Sequence, residues 1–302
     1  MPTESVSNCP ICRGDEFKDV VSCKDYTCSQ QYFFIQKCAN CNLHLTNPRP
    51  DAESIQEYYQ SPDYISHTGN PNSILNSIYL GVRRFTLRWK HGIISSRKKE
   101  GSLLDYGCGS GEFLDYMARN GWEVFGVEPS KAARERAARL AGMKNSVVLE
   151  GIEDLQGPGF PKVDIITLWH VLEHVPDLNN LLSQLKLCLN DKGLILIAVP
   201  NYQSFDSRYY KEYWAGYDLP RHFWHFSHAA LKRLLFNHGL LIQDKIPMKL
   251  DSFYVSILSE KYRREKFQML APIKAFAIGL ISNYMARKNA AYSSCIYVIS
   301  TA

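Results

Sequence analysis

The run Leu103-Leu-Asp-Tyr-Gly-Cys-Gly-Ser-Gly-Glu-Phe-Leu114, followed by Trp122-Glu-Val-Phe-Gly-Val-Glu-Pro-Ser130, decides the fold. It reads strand, glycine loop, helix, strand, the opening unit of a doubly wound α/β sheet. Glycines at 107, 109 and 111 let the backbone turn sharply and approach a ligand closely. Glu128 ends the second strand, where it is placed to accept hydrogen bonds from ribose hydroxyls. A nucleoside-containing ligand is implied. The loop is GxGxG rather than GxGxxG, because Glu112 stands where a dinucleotide fingerprint has its third glycine. An acid at that helix start would repel a pyrophosphate, which argues against NAD or FAD.

Asp105-Tyr-Gly-Cys-Gly-Ser-Gly111 resembles the first motif of the class I S-adenosylmethionine-dependent methyltransferases, an acid followed by GxGxG. The likeness continues through Glu128, Gly151-Ile-Glu-Asp154, the run Val163 to Asp177 and the strand Gly193 to Asn201, and covers roughly residues 100–245. It implies a Rossmann-like, seven-stranded, mostly parallel sheet with S-adenosylmethionine as cofactor. Asp105, Gly107, Gly109, Gly111, Glu128, Pro129, Ile152, Glu153, Trp169 and His170 would hold that cofactor. The last strands are expected at Leu240–Ile246 and Ser294–Ser300, joined by a helix around Glu260–Ala286.

Toward the N-terminus, Cys9-Pro-Ile-Cys12 and Cys38-Ala-Asn-Cys41 form two CxxC pairs, and Gln31 to Cys38 reads as the strand feeding the second. Two such knuckles suit tetrahedral zinc, and four thiolates leave no open position, so the metal's role is structural. Cys23 and Cys28 leave a redox or disulfide pair as the alternative. Residues 1–47 are therefore expected to form a zinc-ribbon head and 48–98 a helical linker or cap. Within the cap, helices are expected at Ala52–Tyr59, behind an Asp51 cap, and at Ile74–Ser95. Residues 99–302 would form the cofactor-binding domain. Tyr58, Tyr59 and Tyr64 could line a pocket or simply pack, and Tyr64 is a substrate-binding candidate.

The head together with Asp218-Leu-Pro-Arg-His-Phe-Trp-His-Phe-Ser227 resembles zinc-headed methyltransferases of bacterial sugar and cell-surface biosynthesis, including deoxysugar C-methyltransferases. Those sugar enzymes carry Glu before their histidine base, whereas Arg221 precedes His222 here. Methyl transfer to a hydroxyl requires positioning and proton removal, and histidine is the usual remover at neutral pH. His222 is the expected base and His174 a second catalytic candidate. The alternative for His222 and His225 is that they pack the loop. Arg221 could bind a substrate carboxylate or phosphate, or pair with Asp218.

The expected acceptor is a small molecule, a sugar, nucleotide-sugar or cell-envelope precursor, with O-methylation ahead of C- or N-methylation. With 302 residues, 45% apolar and 22% charged, the chain is globular. A net charge of +5 spread along it does not indicate a nucleic-acid partner. Trp169-His-Val-Leu172 also replaces the tetrapeptide used on flipped bases, against an RNA methyltransferase. Intact Asp105, glycines and Glu128 argue against lost cofactor binding but not against lost chemistry, so a non-catalytic cofactor-binding scaffold stays the other alternative. The polar start carries no signal segment, and Pro272 and Lys274 break the apolar run Leu270 to Met285, so a cytoplasmic monomer or homodimer is expected. Leu270, Ile273, Ala277, Leu280, Ile281 and Tyr284 share one helical stripe, expected to pack on a sheet or at a dimer contact, with weak membrane-surface contact the other possibility.

Overall fold

The computed structural model describes residues 2–59, 74–143, 146–156, 160–263 and 270–302. It begins with a short antiparallel meander of β1 (Phe17–Lys24), β2 (Tyr32–Cys38) and β3 (His44–Thr46). Along β2, Phe33 and Ile35 are buried while Tyr32 and Phe34 stay exposed, the period of two that a half-buried strand shows. So short a meander cannot enclose a core of its own. The sheet gains a fourth member, the two-residue strand Trp224–His225, which pairs antiparallel with β3. Phe33 and Ile35 share their cluster with Tyr58, Tyr210, Trp214 and Leu219. The sequence suggests a boundary after residue 47; the sheet and core of the head are completed by residues 205–225.

The segment Ser54–Tyr59 is a 3₁₀ turn rather than the α-helix expected from residue 52, its first N–H held by the Asp51 carboxylate at 2.8 Å. Helix α1 covers Ile74–Ser95. Beyond it come β4 (Ser102–Tyr106), α2 (Glu112–Arg119), β5 (Glu123–Val127), α3 (Lys131–Ala137), β6 (Val147–Leu149) and β7 (Val163–Trp169). Then follow α4 (Leu178–Leu187), β8 (Leu189–Pro200), α5 (His228–Asn237), β9 (Leu240–Pro247), α6 (Asp251–Arg263), α7 (Ala271–Asn289) and β10 (Ser294–Thr301).

These strands form one seven-stranded sheet in the order β9-β10-β8-β7-β4-β5-β6. β4 pairs in parallel with both β5 and β7, and β5 with β6. The strand order therefore reverses at β4, and the glycine loop leaves its carboxyl end, where open α/β sheets bind ligands. Near-continuous burial along β4, β7 and β8 is what a sheet covered on both faces demands.

The single helix expected over 260–286 is two helices, α6 and α7. The apolar stripe of α7 does not pack inward: Ile273 is 67% and Tyr284 60% exposed. By compactness the chain divides into two units, one holding the described residues of 1–65 with 170–179 and 197–298, the other those of 66–169 with 180–196 and 299–302.

Candidate active site

In the second unit the glycine loop is a left-handed hook. Gly107, Gly109 and Gly111 have φ of 77°, 56° and 79°, and the N–H groups of Gly107 and Cys108 both donate to the Val127 carbonyl. A side chain at Gly111 would strike the Ala137 backbone and methyl, whereas one at Gly109 would meet nothing within 4 Å, so the loop borders open space there. The Glu128 carboxylate accepts from the N–H of Gly109 and of Ser130, both at 2.9 Å, which ties the end of β5 to the loop. Two of its four lone-pair positions remain for ribose hydroxyls. Asp105 is buried and accepts from the Thr167 hydroxyl at 2.6 Å. Burial pushes its carboxyl up to about 7, against that hydrogen bond and the charge of Lys90.

Glu112, at the start of α2, is ion-paired with Arg83 and accepts from the Ser110 hydroxyl. At the end of β7 the Trp169 ring meets Phe113 edge to face, with the Lys90 ammonium 4.2 Å from its centroid. The indole N–H of Trp169 is buried and has no acceptor among the described residues, an orphaned donor of the kind a bound ligand satisfies. Ile152 is buried and Glu153 exposed on a turn whose N–H groups, at Glu150 and Gly151, are held by the Asp154 carboxylate. Pro129 is exposed, its carbonyl accepting from Arg134. Open space beside Gly109, the available oxygens of Glu128 and the Trp169 donor fit an adenosyl ligand.

The first unit holds a histidine cluster. His170 has a left-handed backbone (φ 58°) fixed by its N–H donating to the Ala198 carbonyl. Its Nε2 lies 3.1 Å from Asp251 and its Nδ1 3.4 Å from Glu173. Burial opposes the imidazolium, but the Asp251 and Glu173 carboxylates outweigh it and raise the pKa to about 10. His174 Nδ1 sits 3.0 Å from the Arg221 carbonyl and 2.9 Å from the Tyr59 hydroxyl. His222 Nδ1 sits 3.0 Å from the Gly216 carbonyl. A carbonyl only accepts, so in each ring Nδ1 carries a hydrogen.

The rings of His174 and His222 stand edge to face at 4.5 Å. Burial, reinforced by His174, holds His222 well below the usual imidazole pKa, so it is a neutral base at pH 7. Glu173 is 1% exposed, and its carboxylate meets His170 Nδ1 at 3.4 Å and His222 Nε2 at 4.0 Å. One ligand atom each from Glu173, His174 and His222 lie within 4.8 Å of one another, a set able to receive a polar acceptor group or a cation. His225 has a packing task instead: its Nε2 meets the Thr46 hydroxyl at 3.1 Å, and that hydroxyl donates to the His222 carbonyl at 2.6 Å.

Of the two roles open to Arg221, the structure takes the ion pair. The side chain is 1% exposed, and its guanidinium donates twice to Asp218, at 2.5 and 3.0 Å, and to the Tyr58 carbonyl. Asp25 stands 3.5 Å away. A guanidinium so enclosed has no face for a substrate carboxylate or phosphate; it fixes the loop carrying His222. Tyr64 lies outside the described residues. Sequence reasoning missed Asp251, Glu173 and Lys90, and only Glu173, inside the Trp169-to-Asp177 turn, had a local signal.

At the head, Cys9, Cys12, Cys38 and Cys41 place all four Sγ atoms within 4.8 Å of one another, with Cys9–Cys41 and Cys12–Cys38 each at 3.4 Å. A zinc tetrahedron with Zn–S near 2.3 Å asks for S···S of about 3.8 Å, and a disulfide for about 2 Å, so the quartet fits zinc and not a disulfide. Each knuckle closes on a left-handed residue, Arg13 or Asn42, whose N–H donates to the carbonyl of the knuckle's first cysteine. Cys23 lies in the apolar cluster and Cys28 donates to the Glu57 carbonyl, so neither joins the quartet.

The reversed strand order, the GxGxG hook and the acid at the end of β5 define a class I S-adenosylmethionine-dependent methyltransferase domain. The chain belongs to the methyltransferase-domain family, whose sequence pattern matches residues 82–244, more than half of it. A ubiquinone biosynthesis O-methyltransferase of Cupriavidus pinatubonensis is 27% identical over 160 residues, 52% of this chain and 61% of that protein. One from Alkalilimnicola ehrlichii is 40% identical over 79 residues, 25% of this chain and 32% of the relative. The chain thus spans from about a third to about three-fifths of these relatives. The plantazolicin methyltransferase BpumL, solved with S-adenosylhomocysteine, shares the fold at a TM-score of 0.52 and 16% identity, over 82% of this chain and 94% of that one.

Proposed function

We propose that the chain transfers the methyl group of S-adenosylmethionine to an oxygen of a small-molecule acceptor, with His222 as the base. The observation that carries this is the state of His222: neutral, its tautomer set by the Gly216 carbonyl, and its Nε2 4.0 Å from both the Glu173 and the Asp218 carboxylates. A hydroxyl proton taken by Nε2 makes an imidazolium, and Glu173 stabilises that charge where water is excluded. His174, its Nδ1–H held by the Arg221 carbonyl, orients the acceptor. Asp105, Gly107, Gly109, Gly111, Glu128, Pro129, Ile152, Glu153, Trp169 and His170 are assigned to the cofactor. When bound, S-adenosylmethionine supplies an activated methyl on a sulfonium. The cysteine quartet is assigned structural Zn2+, and nine unbridged cysteines suit a reducing, cytoplasmic setting.

The acceptor is a hydroxylated metabolite. A sugar or envelope precursor is favoured by the likeness of the head and the loop 218–227, and an intermediate of ubiquinone biosynthesis by the similarity to the ubiquinone biosynthesis O-methyltransferases. With Arg221 enclosed, a phosphorylated acceptor loses its expected anchor. Calorimetric titration of zinc-loaded protein with S-adenosylmethionine, S-adenosylhomocysteine and NAD tests the cofactor, and labelled-methyl transfer to sugar and phenolic hydroxyls tests the acceptor. Micromolar binding of the adenosyl compounds and not NAD is expected; no binding by a folded, zinc-loaded sample overturns the reading.

A further inference from the structure

Helix α7 has the reverse of the polarity a surface helix shows, in which charged residues face water. Its buried face is made of small residues, Ala275, Gly279, Ser282 and Ala286, with Ile278. Its outer face carries Ile273, Phe276, Leu280, Ile281 and Tyr284, exposed by 67, 58, 49, 42 and 60%. The orientation is locked. The Ser282 hydroxyl donates to the buried Asp206 at 2.6 Å, the Gly279 carbonyl accepts from Ser252, and a side chain at Gly279 would strike the ring of Phe253. On the preceding segment and α6, Leu250, Tyr254 and Ile257 are also exposed, by 47, 56 and 54%. So much outward apolar surface on one helix pair marks a docking face.

The charges around it have one sign. The described residues of 249–290 carry six basic side chains against two acidic ones, although the whole chain has a net charge of only +5. Both acids are turned inward: Glu260 is buried beside Lys274, and Asp251 is bound to His170. Lys249, Lys261, Arg287 and Lys288 are exposed, the last two directly after the outer stripe of α7. Among the described residues of 249–290 a second copy of this face would bring no exposed acid to meet these cations, whereas anionic headgroups over acyl chains meet both the charge and the apolar stripe. Among the described residues no helix is long and apolar enough to cross a membrane. We propose that α7, with the exposed residues of α6, docks in the interfacial plane of an anionic lipid bilayer. This inference stands independently of the methyl-transfer reading.

Vesicle co-sedimentation of the full zinc-loaded chain tests it. Vesicles of phosphatidylcholine and phosphatidylglycerol, three to one, should carry the protein down at ~0.1 M salt, and phosphatidylcholine alone far less. The triple variant Ile273→Ser, Phe276→Ser, Leu280→Ser alters only exposed side chains. It should keep the wild-type melting temperature and zinc content and bind the anionic vesicles at least about tenfold more weakly. Arg287→Gln and Lys288→Gln should each weaken binding about fivefold. Equal pelleting with both lipids, or vesicle binding unchanged in the triple variant, overturns the inference. A dimer in sedimentation velocity that the serine substitutions dissolve, with no vesicle binding, also overturns it and gives the face to a second copy.

Discussion

Arg221→Leu separates a substrate-binding arginine from a positioning one. In the folded chain the guanidinium makes two charge-assisted hydrogen bonds to Asp218 and one to the Tyr58 carbonyl, and it lies 3.5 Å from Asp25. Removing it strands two carboxylates unequally. Asp25 keeps five hydrogen bonds, from the backbone and hydroxyls of Thr27 and Ser29 and the N–H of Cys28, so its charge stays served. Asp218 loses both hydrogen bonds from Arg221, and its side chain is 21% exposed, which softens the penalty. Breaking a buried pair from one side costs about 3–5 kcal/mol, and the partial exposure of Asp218 places the expected loss near the lower end, about 3 kcal/mol. Urea unfolding of zinc-loaded protein, followed by tryptophan fluorescence, reads this directly. Arg221→Leu with Asp218→Asn should regain about 1–2 kcal/mol, because the stranded charge is gone. A loss under about 1 kcal/mol, together with a tenfold rise in KM for an accepted acceptor, would refute the positioning role.

His222→Gln should lower kcat by about 10²–10⁴ and leave S-adenosylhomocysteine affinity unchanged in calorimetry; a variant with full turnover removes the base assignment. Stability should peak near the ordinary histidine pKa of about 6.5 and fall on both sides. On the alkaline side, His170 binds a proton in the folded state up to about 10, so its contribution is complete below the unfolded pKa and is lost as pH rises toward 10. On the acid side, burial lowers His222 well below its usual value and, with His44, lowers His225 to about 3, so the folded state resists protons that the unfolded chain takes up as pH falls. Melting curves across pH check this, and His170→Gln should flatten the alkaline limb alone. Cys9→Ser should abolish the one expected zinc in metal analysis and disorder the head while leaving the sheet's far-ultraviolet signal; retained stoichiometric zinc would contradict the quartet.

The parts legible in the sequence are those written locally. The hook at 107–111 and the acid at 128 lie within one strand-helix-strand unit, and each pair of thiolates lies within four residues, so both sites could be named from spacing. The ion pair of His170 with Asp251 was not legible, since 81 positions separate the two and nothing around Asp251 marks it. The burial of Arg221 depends on Tyr58, 163 positions away. The stripe on α7 was visible as a period, but its direction was not: the inward side is set by Ser282 bonding to Asp206, a contact across 76 positions that reverses the usual reading of large residues as the packed face.

The pairing of His44 and Leu45 with His225 and Trp224 fixes an order of events during synthesis. The first strands of the head leave the ribosome roughly 180 residues before the strand that completes their sheet, about 10–40 s at 5–20 residues per second. The cysteine quartet is complete within the first 41 residues, so the nascent chain can take up its metal in that interval while Phe33 and Ile35 remain uncovered. All four thiols assigned to the metal are thus available before the head closes, and the strand that closes it begins two residues after His222.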